Sequence, residues 1–263
     1  MRHSSHAHTD QHTPAAASVT HVRIAVLSDI HANLHALDAV LLDADAVVVD
    51  RVWCLGDLVG YGPRPNECVE QMRERASLSL CGNHDLAVLG VLEMAEFSGD
   101  AAAAAVWTQG VLGEAQRVWL AGLEPAGHAD GVELFHGSPR DPVWDYVLSE
   151  GAARESLLET TAPLVLVGHS HVALALSLSG ETLTGGLAPA DTTADLAAAR
   201  WLINPGSVGQ PRDGDPRAAW ALIDTDESRA EFRRVSYPIE KTQAEIKESG
   251  LPSALAARLA HGI

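Results

Sequence analysis

The sequence is poor in cysteine, lysine and aromatic residues. Its 263 residues include 3 cysteines, lysine occurs only at positions 241 and 247, and aromatic side chains make up 5% of the chain. Cys54, Cys68 and Cys81 form no CxxC pair, and two of them end apolar runs, which is typical of buried reduced thiols. Disulfide staples, thiolate-bound metal and cysteine catalysis are therefore disfavoured.

Long apolar runs are also lacking. No stretch reaches the roughly 18 residues that a membrane-spanning helix needs. Residues 1–20 are polar and rich in His and Ala, without the apolar centre of a signal peptide, so we expect a cytoplasmic protein with a disordered N-terminal tail. The tail carries His3, His6, His8 and His12, which could bind stray metal, although a solvated tail is the preferred interpretation.

Positive charge is scarce. The formal net charge is -17, from 35 acidic and 18 basic residues. The negative electrostatic field that this charge produces repels polyanions, so stable nucleic-acid binding is not expected. A phosphate-bearing substrate would need local positive charge, which bound metal ions would supply.

Apolar periodicity predicts alternating strands and helices in the first third of the chain. Parallel strands joined by helical crossovers follow from this order, and the fold class is therefore α/β. Strands are predicted over Val22–Leu27, Ala46–Leu55 and Ala76–Cys81, and helices over Asn33–Asp43 and Asn66–Arg75.

The later part of the chain shows a different order of predicted elements. Two helices, at residues 101–109 and 114–121, precede a close succession of short strands from residue 131 to 235, which favours antiparallel pairing in a second sheet. Residues 180–198 are predicted to be an exposed excursion. We expect a catalytic domain over residues 21–238 and a helical appendage over residues 239–263, broken at Gly250 and Pro252.

Five strand-like runs end in potential metal ligands. Loops beyond the carboxyl ends of strands in α/β sheets converge on one crevice, so these motifs can meet. A single motif of this kind is more often a helix cap or a turn than a metal site. The occurrence of all five in this order is what indicates a metal site. The motifs are Ser28-Asp29-Ile30-His31, Gly56-Asp57, Gly82-Asn83-His84-Asp85, His136-Gly137 and Gly168-His169-Ser170-His171.

The chemistry of this set favours transition metals. Two carboxylates, four histidines and an asparagine carbonyl suit Mn, Fe or Zn better than calcium. Seven ligands exceed one tetrahedral site and match two ions about 3.5–4 Å apart that share a carboxylate.

At these motifs the sequence resembles the calcineurin-like metallophosphoesterase family. The resemblance implies a four-layer sandwich of two mixed sheets between helices. It extends to Ile203-Asn204-Pro205-Gly206-Ser207-Val208-Gly209, which resembles the segment that closes the site in small prokaryotic members. It implies a catalytic role for His84, which would face the substrate with a near-neutral pKa and protonate the leaving oxygen or stabilise the transition state. The implied ligands are Asp29, His31 and His171 for one metal, Asn83, His136 and His169 for the other, and Asp57 as the bridge.

One departure from the family pattern narrows the expected class of substrate. Protein phosphatases follow Gly-Asp and two further residues with Asp-Arg-Gly, whereas this chain has Gly60-Tyr61-Gly62 at that position. A small-molecule substrate is therefore preferred, and Tyr61, Arg140 and Arg212 are candidate substrate contacts. Structural roles are the alternative, and for Arg212 that role is pairing with the neighbouring Asp213 and Asp215.

Two functions remain in view from the sequence. The first is a phosphodiesterase that attacks a small nucleotide-like phosphoester through a metal-bridging hydroxide. Phosphomonoesterase activity is a further possibility for the same site. The preferred metal is Mn, ahead of Fe or Zn. The alternative is a catalytically inactive metal-binding scaffold of the same fold. The metal, the substrate and the oligomeric state are left open.

Overall fold

The structure, a computed structural model, describes residues 22–263. The predicted tail at residues 1–20, with its four histidines, lies outside this range. The strands of the described part are β1 (Arg23–Leu27), β2 (Arg51–Cys54), β3 (Leu78–Ser79), β4 (Ala126–Ala129), β5 (Val132–Phe135), β6 (Leu164–Val167), β7 (Leu174–Ser179), β8 (Thr182–Leu187), β9 (Thr193–Asp195), β10 (Arg200–Asn204), β11 (Ala218–Asp224) and β12 (Arg229–Val235).

Helices occupy most of the segments between these strands. A short 3-10 helix spans Met94–Glu96. The α-helices are α1 (Leu34–Ala46), α2 (Pro65–Arg75), α3 (Asn83–Val88), α4 (Gly99–Val111), α5 (Glu114–Leu120), α6 (Glu150–Glu159), α7 (Ile239–Glu248) and α8 (Ser253–Leu259). No helix within residues 22–263 combines the length and the apolar character needed to cross a membrane.

The strands form two mixed sheets of six. The first has the order β3-β2-β1-β11-β12-β9, and the second has the order β4-β5-β6-β10-β7-β8. In the first sheet β1, β2 and β3 run parallel, and β11 joins β1 antiparallel. In the second sheet β5, β6 and β10 run parallel. Both sheets thus contain parallel strands whose carboxyl ends can share one edge.

Alternation along the strands builds the layers. In β1, Ile24 and Val26 belong to a buried cluster between the two sheets, whereas Ala25 and Leu27 face the cluster beneath α1 and α2. Successive side chains of a strand point to opposite faces, so one strand can contribute to both cores. Helix α6 covers the outer face of the second sheet through a cluster that includes Leu157. The predicted four-layer α/β sandwich is confirmed.

Several predicted elements differ from the structure. The segment 180–198 contains β8 and β9. It looked irregular because β8 is an edge strand whose side chains are mostly exposed, so it lacks apolar alternation. Strands β11 and β12 join the first sheet, because β11 is buried along its whole length and pairs with β1. The predicted strand at Ala46–Leu55 shortens to β2, since α1 runs to Ala46 and Val47 and Val49 pack on the core from a turn.

The C-terminal helices α7 and α8 lie beside α1 and α4. Their buried residues Ile246, Leu255 and Leu259 share a cluster with Tyr61 and Ala104. The break between them falls at residues 249–252, where Gly250 has a φ of 73°. The C-terminal segment thus packs close to the loop after β2, and its limits as a separate unit stay a prediction.

Candidate metal centre

The predicted ligands follow four parallel strands and begin one helix. Asp29 and His31 follow β1, Asp57 follows β2, His136 follows β5, and His169 and His171 follow β6, while Asn83 starts α3. The backbone at these positions is unusual. Left-handed φ values occur at Asp29 (54°), His31 (48°), Asp57 (53°), His169 (64°) and His171 (58°). Such conformations cost of order 1–3 kcal/mol each in non-glycine residues and persist where the surrounding structure enforces them.

The first ligand group comprises Asp29, His31, Asp57 and His171. One ligand atom of each lies within 4.8 Å of the others, and all four residues are buried. Nε2 of His171 is 3.3 Å from Oδ1 of Asp29, and Nε2 of His31 is 3.6 Å from Oδ2 of Asp57.

The second ligand group comprises Asp57, His136 and His169, with the same 4.8 Å limit. Nε2 of His136 is 3.6 Å from Oδ2 of Asp57 and 3.2 Å from Oδ1 of Asn83. Asp57 thus belongs to both groups, and its Oδ2 atom is equally far from a histidine of each.

Backbone carbonyls fix the tautomers of three histidines. Nδ1 of His31, His136 and His171 lies 3.1, 2.9 and 2.6 Å from the carbonyl oxygens of Val59, Leu55 and Gln210, respectively. A carbonyl can only accept, so each Nδ1 carries the hydrogen and donates it. Each Nε2 then presents its lone pair to the centre, as metal-binding histidines do.

Burial leaves several polar atoms of the centre without partners. Oδ1 of Asp29, Oδ2 of Asp57 and Nε2 of His169 are buried and have no hydrogen-bond partner within residues 22–263. Burial raises the pKa of Asp29 to about 7 and that of Asp57 well above its usual value, and it lowers the pKa of His31. Divalent cations would satisfy the unpartnered atoms and hold the carboxylates ionised, so the residues present fit a metal centre.

Comparison with known families agrees with this geometry. The family model of the calcineurin-like phosphoesterase superfamily domain matches residues 22–228. The chain belongs to this superfamily. The resemblance inferred from the five motifs is thereby confirmed.

Similar proteins match this chain over nearly its whole length. A metallophosphoesterase from Sphaerobacter thermophilus of known crystal structure is 42% identical, with a TM-score of 0.83 over 93% of this chain and 100% of its own. An uncharacterised protein of Methanocaldococcus jannaschii is 38% identical over 241 residues, 90% of this chain and 96% of its own. A hypothetical protein from Pyrococcus horikoshii shares the fold at 21% identity, with a TM-score of 0.75 over 92% of this chain and 99% of its own.

His84 lies at the edge of the candidate metal centre. Its backbone N–H donates to Oδ1 of Asp57 at 2.9 Å, and its ring centroid is 4.9 Å from that of His31 and 4.4 Å from that of Tyr61. Burial, followed by the charge of Arg212, lowers the pKa of His84 to about 3. The near-neutral pKa expected from the sequence is therefore not found, and the ring is a neutral imidazole that can donate one hydrogen bond.

The structure also shows supporting roles for two motif residues, Asp85 and Ser207, to which the sequence assigned none. The carboxylate of Asp85 accepts from the N–H groups of Leu58, Val59 and Gly82 at 2.9–3.2 Å, which ties the loop after β2 to the start of α3. Ser207 Oγ donates to the carbonyl oxygen of Asp29 at 2.8 Å. Both residues stand inside motifs identified in the sequence, but their partners lie elsewhere in the chain, and the contact of Ser207 joins residues 178 positions apart.

The three candidate substrate contacts have different surroundings. The ring of Tyr61 lies 4.6 Å from that of His31, and its hydroxyl is 3.3 Å from Nη2 of Arg212. Arg212 does not pair with its neighbours, because Asp213 contacts Arg234 and Asp215 contacts Arg217. The alternative structural role of Arg212, pairing with Asp213 and Asp215, is therefore wrong.

Arg140 is bound to a neighbouring loop. Its guanidinium contacts the carboxylates of Asp145 and Glu155 at the surface. Ser138 donates to the same carboxylate of Asp145 at 2.6 Å. These contacts brace the segment that leads to Tyr146, and the proposed contact of Arg140 with substrate stays a prediction.

Aromatic side chains beyond Tyr61 surround the centre, and the sequence did not single them out. Tyr146 stacks on His169 with ring centroids 3.9 Å apart and an interplanar angle of 16°. Phe97 lies edge-on to His84 at 5.1 Å, and Trp144 lies 5.2 Å from Phe97. Tyr146 remains 44% exposed, so a flat ligand could still reach it.

Proposed function

We propose that the protein is a phosphoester hydrolase that holds two divalent transition-metal ions and acts on small nucleotide-like phosphodiesters, with phosphomonoester hydrolysis as a further activity. The observation that carries this proposal is the position of Asp57. Its Oδ2 atom lies 3.6 Å from Nε2 of both His31 and His136. One carboxylate oxygen shared by two ligand groups is what a dinuclear centre requires.

The residues assigned to each ion follow the two groups. Asp29, His31 and His171 would hold one ion and Asn83, His136 and His169 the other, with Asp57 common to both. Mn is the preferred metal, with Fe or Zn as alternatives, because imidazole and carboxylate ligands suit all three. Such ions would lower the pKa of bound water and neutralise charge on the phosphoryl oxygens.

His84 would act on the substrate from the side of the metal centre. Its Nδ1 atom is buried beside Gly60, where a Cβ would lie 2.7 Å away, so Nε2 is the ring nitrogen left to face a substrate. The low pKa keeps the ring neutral, so its contribution is a hydrogen bond to a phosphoryl or leaving oxygen.

The surroundings favour a substrate with a flat group beside the phosphate. Tyr61, Phe97, Trp144 and Tyr146 give the centre an aromatic border. Base–aromatic stacking contributes about 1–3 kcal/mol per base. A nucleotide-like substrate would contact the metal centre through its phosphate and the aromatic border through its base.

The test is reconstitution of chelator-treated protein with Mn, Fe or Zn, each separately. Hydrolysis of bis(p-nitrophenyl) phosphate and bound metal per chain are measured together. We expect about two ions per chain and turnover that a strong chelator abolishes. Asp57→Asn should lose both, whereas the control Asp130→Asn, at a surface carboxylate paired with Arg51, should lose neither. Folded, metal-loaded protein without turnover on any simple phosphoester would favour the scaffold alternative.

A further inference from the structure

Two arginines meet at one amide oxygen beside the metal centre. Nη2 of Arg212 lies 3.0 Å from Oε1 of Gln210, and Nη1 of Arg258, on α8, lies 3.4 Å from the same atom. We call Arg212 and Arg258 the arginine pair. Both side chains are partly exposed, so a ligand in solution can reach them.

The arginine pair lacks acidic partners. Within residues 22–263 no carboxylate lies at ion-pair distance from either guanidinium, whereas Arg64, Arg233 and Arg234 each pair with one. Acidic residues outnumber basic ones by 35 to 18, so two neighbouring arginines without a carboxylate are unexpected. Bringing two like charges together is unfavourable, and a bound anion would offset the repulsion.

The pair is connected to the metal ligands by short contacts. The carbonyl oxygen of Gln210 accepts from Nδ1 of His171 at 2.6 Å, and the backbone N–H of Arg212 donates to the carbonyl oxygen of His171 at 3.2 Å. Arg212 also contacts the hydroxyl of Tyr61, whose ring borders His31. An anion bound by the pair would therefore lie next to the first ligand group, outside the ligands themselves.

We propose that Arg212 and Arg258 form a second anion site that binds a further phosphate group of the substrate, so that the enzyme prefers nucleoside diphosphate or polyphosphate esters over esters with one phosphate. This inference rests on the proposed function, because the metal centre would bind the reacting phosphate. The planar guanidinium forks match phosphate oxygens, and two of them around one group give a selective contact. Arg258 acts as a specificity residue contributed by the C-terminal helices.

The experiment compares AMP with the non-hydrolysable α,β-methylene analogue of ADP. Binding of each to Mn-loaded full-length protein is measured by calorimetry, and inhibition of bis(p-nitrophenyl) phosphate hydrolysis is measured in parallel under excess Mn. The variants are Arg258→Gln and Arg258→Lys. The control is Lys247→Gln, which removes the same charge from exposed α7.

We expect wild type and the control to bind the diphosphate analogue about tenfold more tightly than AMP, or more, since a charged hydrogen bond to phosphate has that effect. The ratio should fall to near one in Arg258→Gln and to an intermediate value in Arg258→Lys. Equal binding of both ligands by wild type, or an unchanged ratio in Arg258→Gln, would overturn the proposal. Absence of turnover with the expected binding ratios would instead contradict the hydrolase assignment and leave the anion site supported.

Discussion

The Nε2 atoms of His31 and His171 lie 3.0 Å apart. Both rings donate their Nδ1 hydrogens to backbone carbonyls, so the two facing nitrogens each present a lone pair. Two acceptors at this distance repel one another, and the ionised carboxylate of Asp29 carries no hydrogen that could relieve the contact. A cation relieves it, and metal binding and stability are therefore linked at this pair.

Metal binding should raise the thermal stability of the protein. At a metal concentration of about 100 Kd the stabilisation is roughly 2.7 kcal/mol, or about 5–10 °C in Tm for a domain of this size. Thermal unfolding with chelator and with Mn or Zn measures the shift. His171→Gln should lose most of it, whereas replacing His3, His6, His8 and His12 with Gln should not. An equal shift in His171→Gln would assign the binding to another part of the chain.

Removing the His84 side chain should separate catalysis from metal binding. The ring contacts the centre from the side and is no member of either ligand group. His84→Ala should lower kcat on bis(p-nitrophenyl) phosphate by about 100-fold while metal content stays at the wild-type value. His169→Ala is the comparison and should lose metal as well as rate. If His84→Ala also loses metal, the residue is part of the metal centre.

Gly60 should be needed for the position of His84. A Cβ at residue 60 would lie 2.7 Å from Nδ1 of His84, and the φ of Gly60 is 87°. Gly60→Ala should therefore lower kcat in addition to destabilising the fold. Gly90→Ala is a matched control, because Gly90 has a φ of 77° and open space around its Cβ position. Both variants share the backbone cost of about 1 kcal/mol or more, so a loss of kcat restricted to Gly60→Ala measures the contact.

Tyr146 should contribute to substrate affinity through its exposed ring. Tyr146→Ala should raise KM for an aryl or nucleotide phosphodiester by roughly five-fold or more, as expected for loss of one stacking contact. Tyr146→Phe retains the ring and should keep KM near the wild-type value. KM is measured by steady-state kinetics for both variants and for wild type. Similar KM values for Tyr146→Ala and wild type would remove this ring from the substrate site.

Docking of α7 should depend on pH through Glu245. Hydrogen bonds from Arg64 hold the pKa of Glu245 below its ordinary value of 4.5. A depressed carboxyl pKa gives stability that is present above the ordinary value and is lost as pH falls through the folded-state value. Urea unfolding of chelator-treated protein between pH 3 and pH 7 should show a smaller acid loss in Glu245→Gln than in wild type. Glu248→Gln, on the same helix, should follow wild type, and identical curves for all three proteins would contradict the linkage.

Some differences between prediction and structure have a common physical origin. The strand β8 and the helix α6 were missed because exposed edge strands and weakly apolar helices show little periodicity. The helix α3 was missed because it begins within a ligand motif and is only 6 residues long. The strand β8 is held by pairing with the adjacent β7, and α6 packs on β7 and β10, and apolar periodicity within the elements reports neither contact.

The sequence by itself determined the alternating α/β order and the five ligand motifs. Each motif is a short loop after a strand, so neighbouring residues carry both its conformation and its chemistry. Tertiary structure alone decided that Tyr146 stacks on His169, that the pKa of His84 is low, and that Arg258 joins Arg212 at Gln210. Those relations depend on burial and on contacts between remote elements. The pairing of β11 with β1 and the packing of α8 beside the loop after β2 bring these elements together.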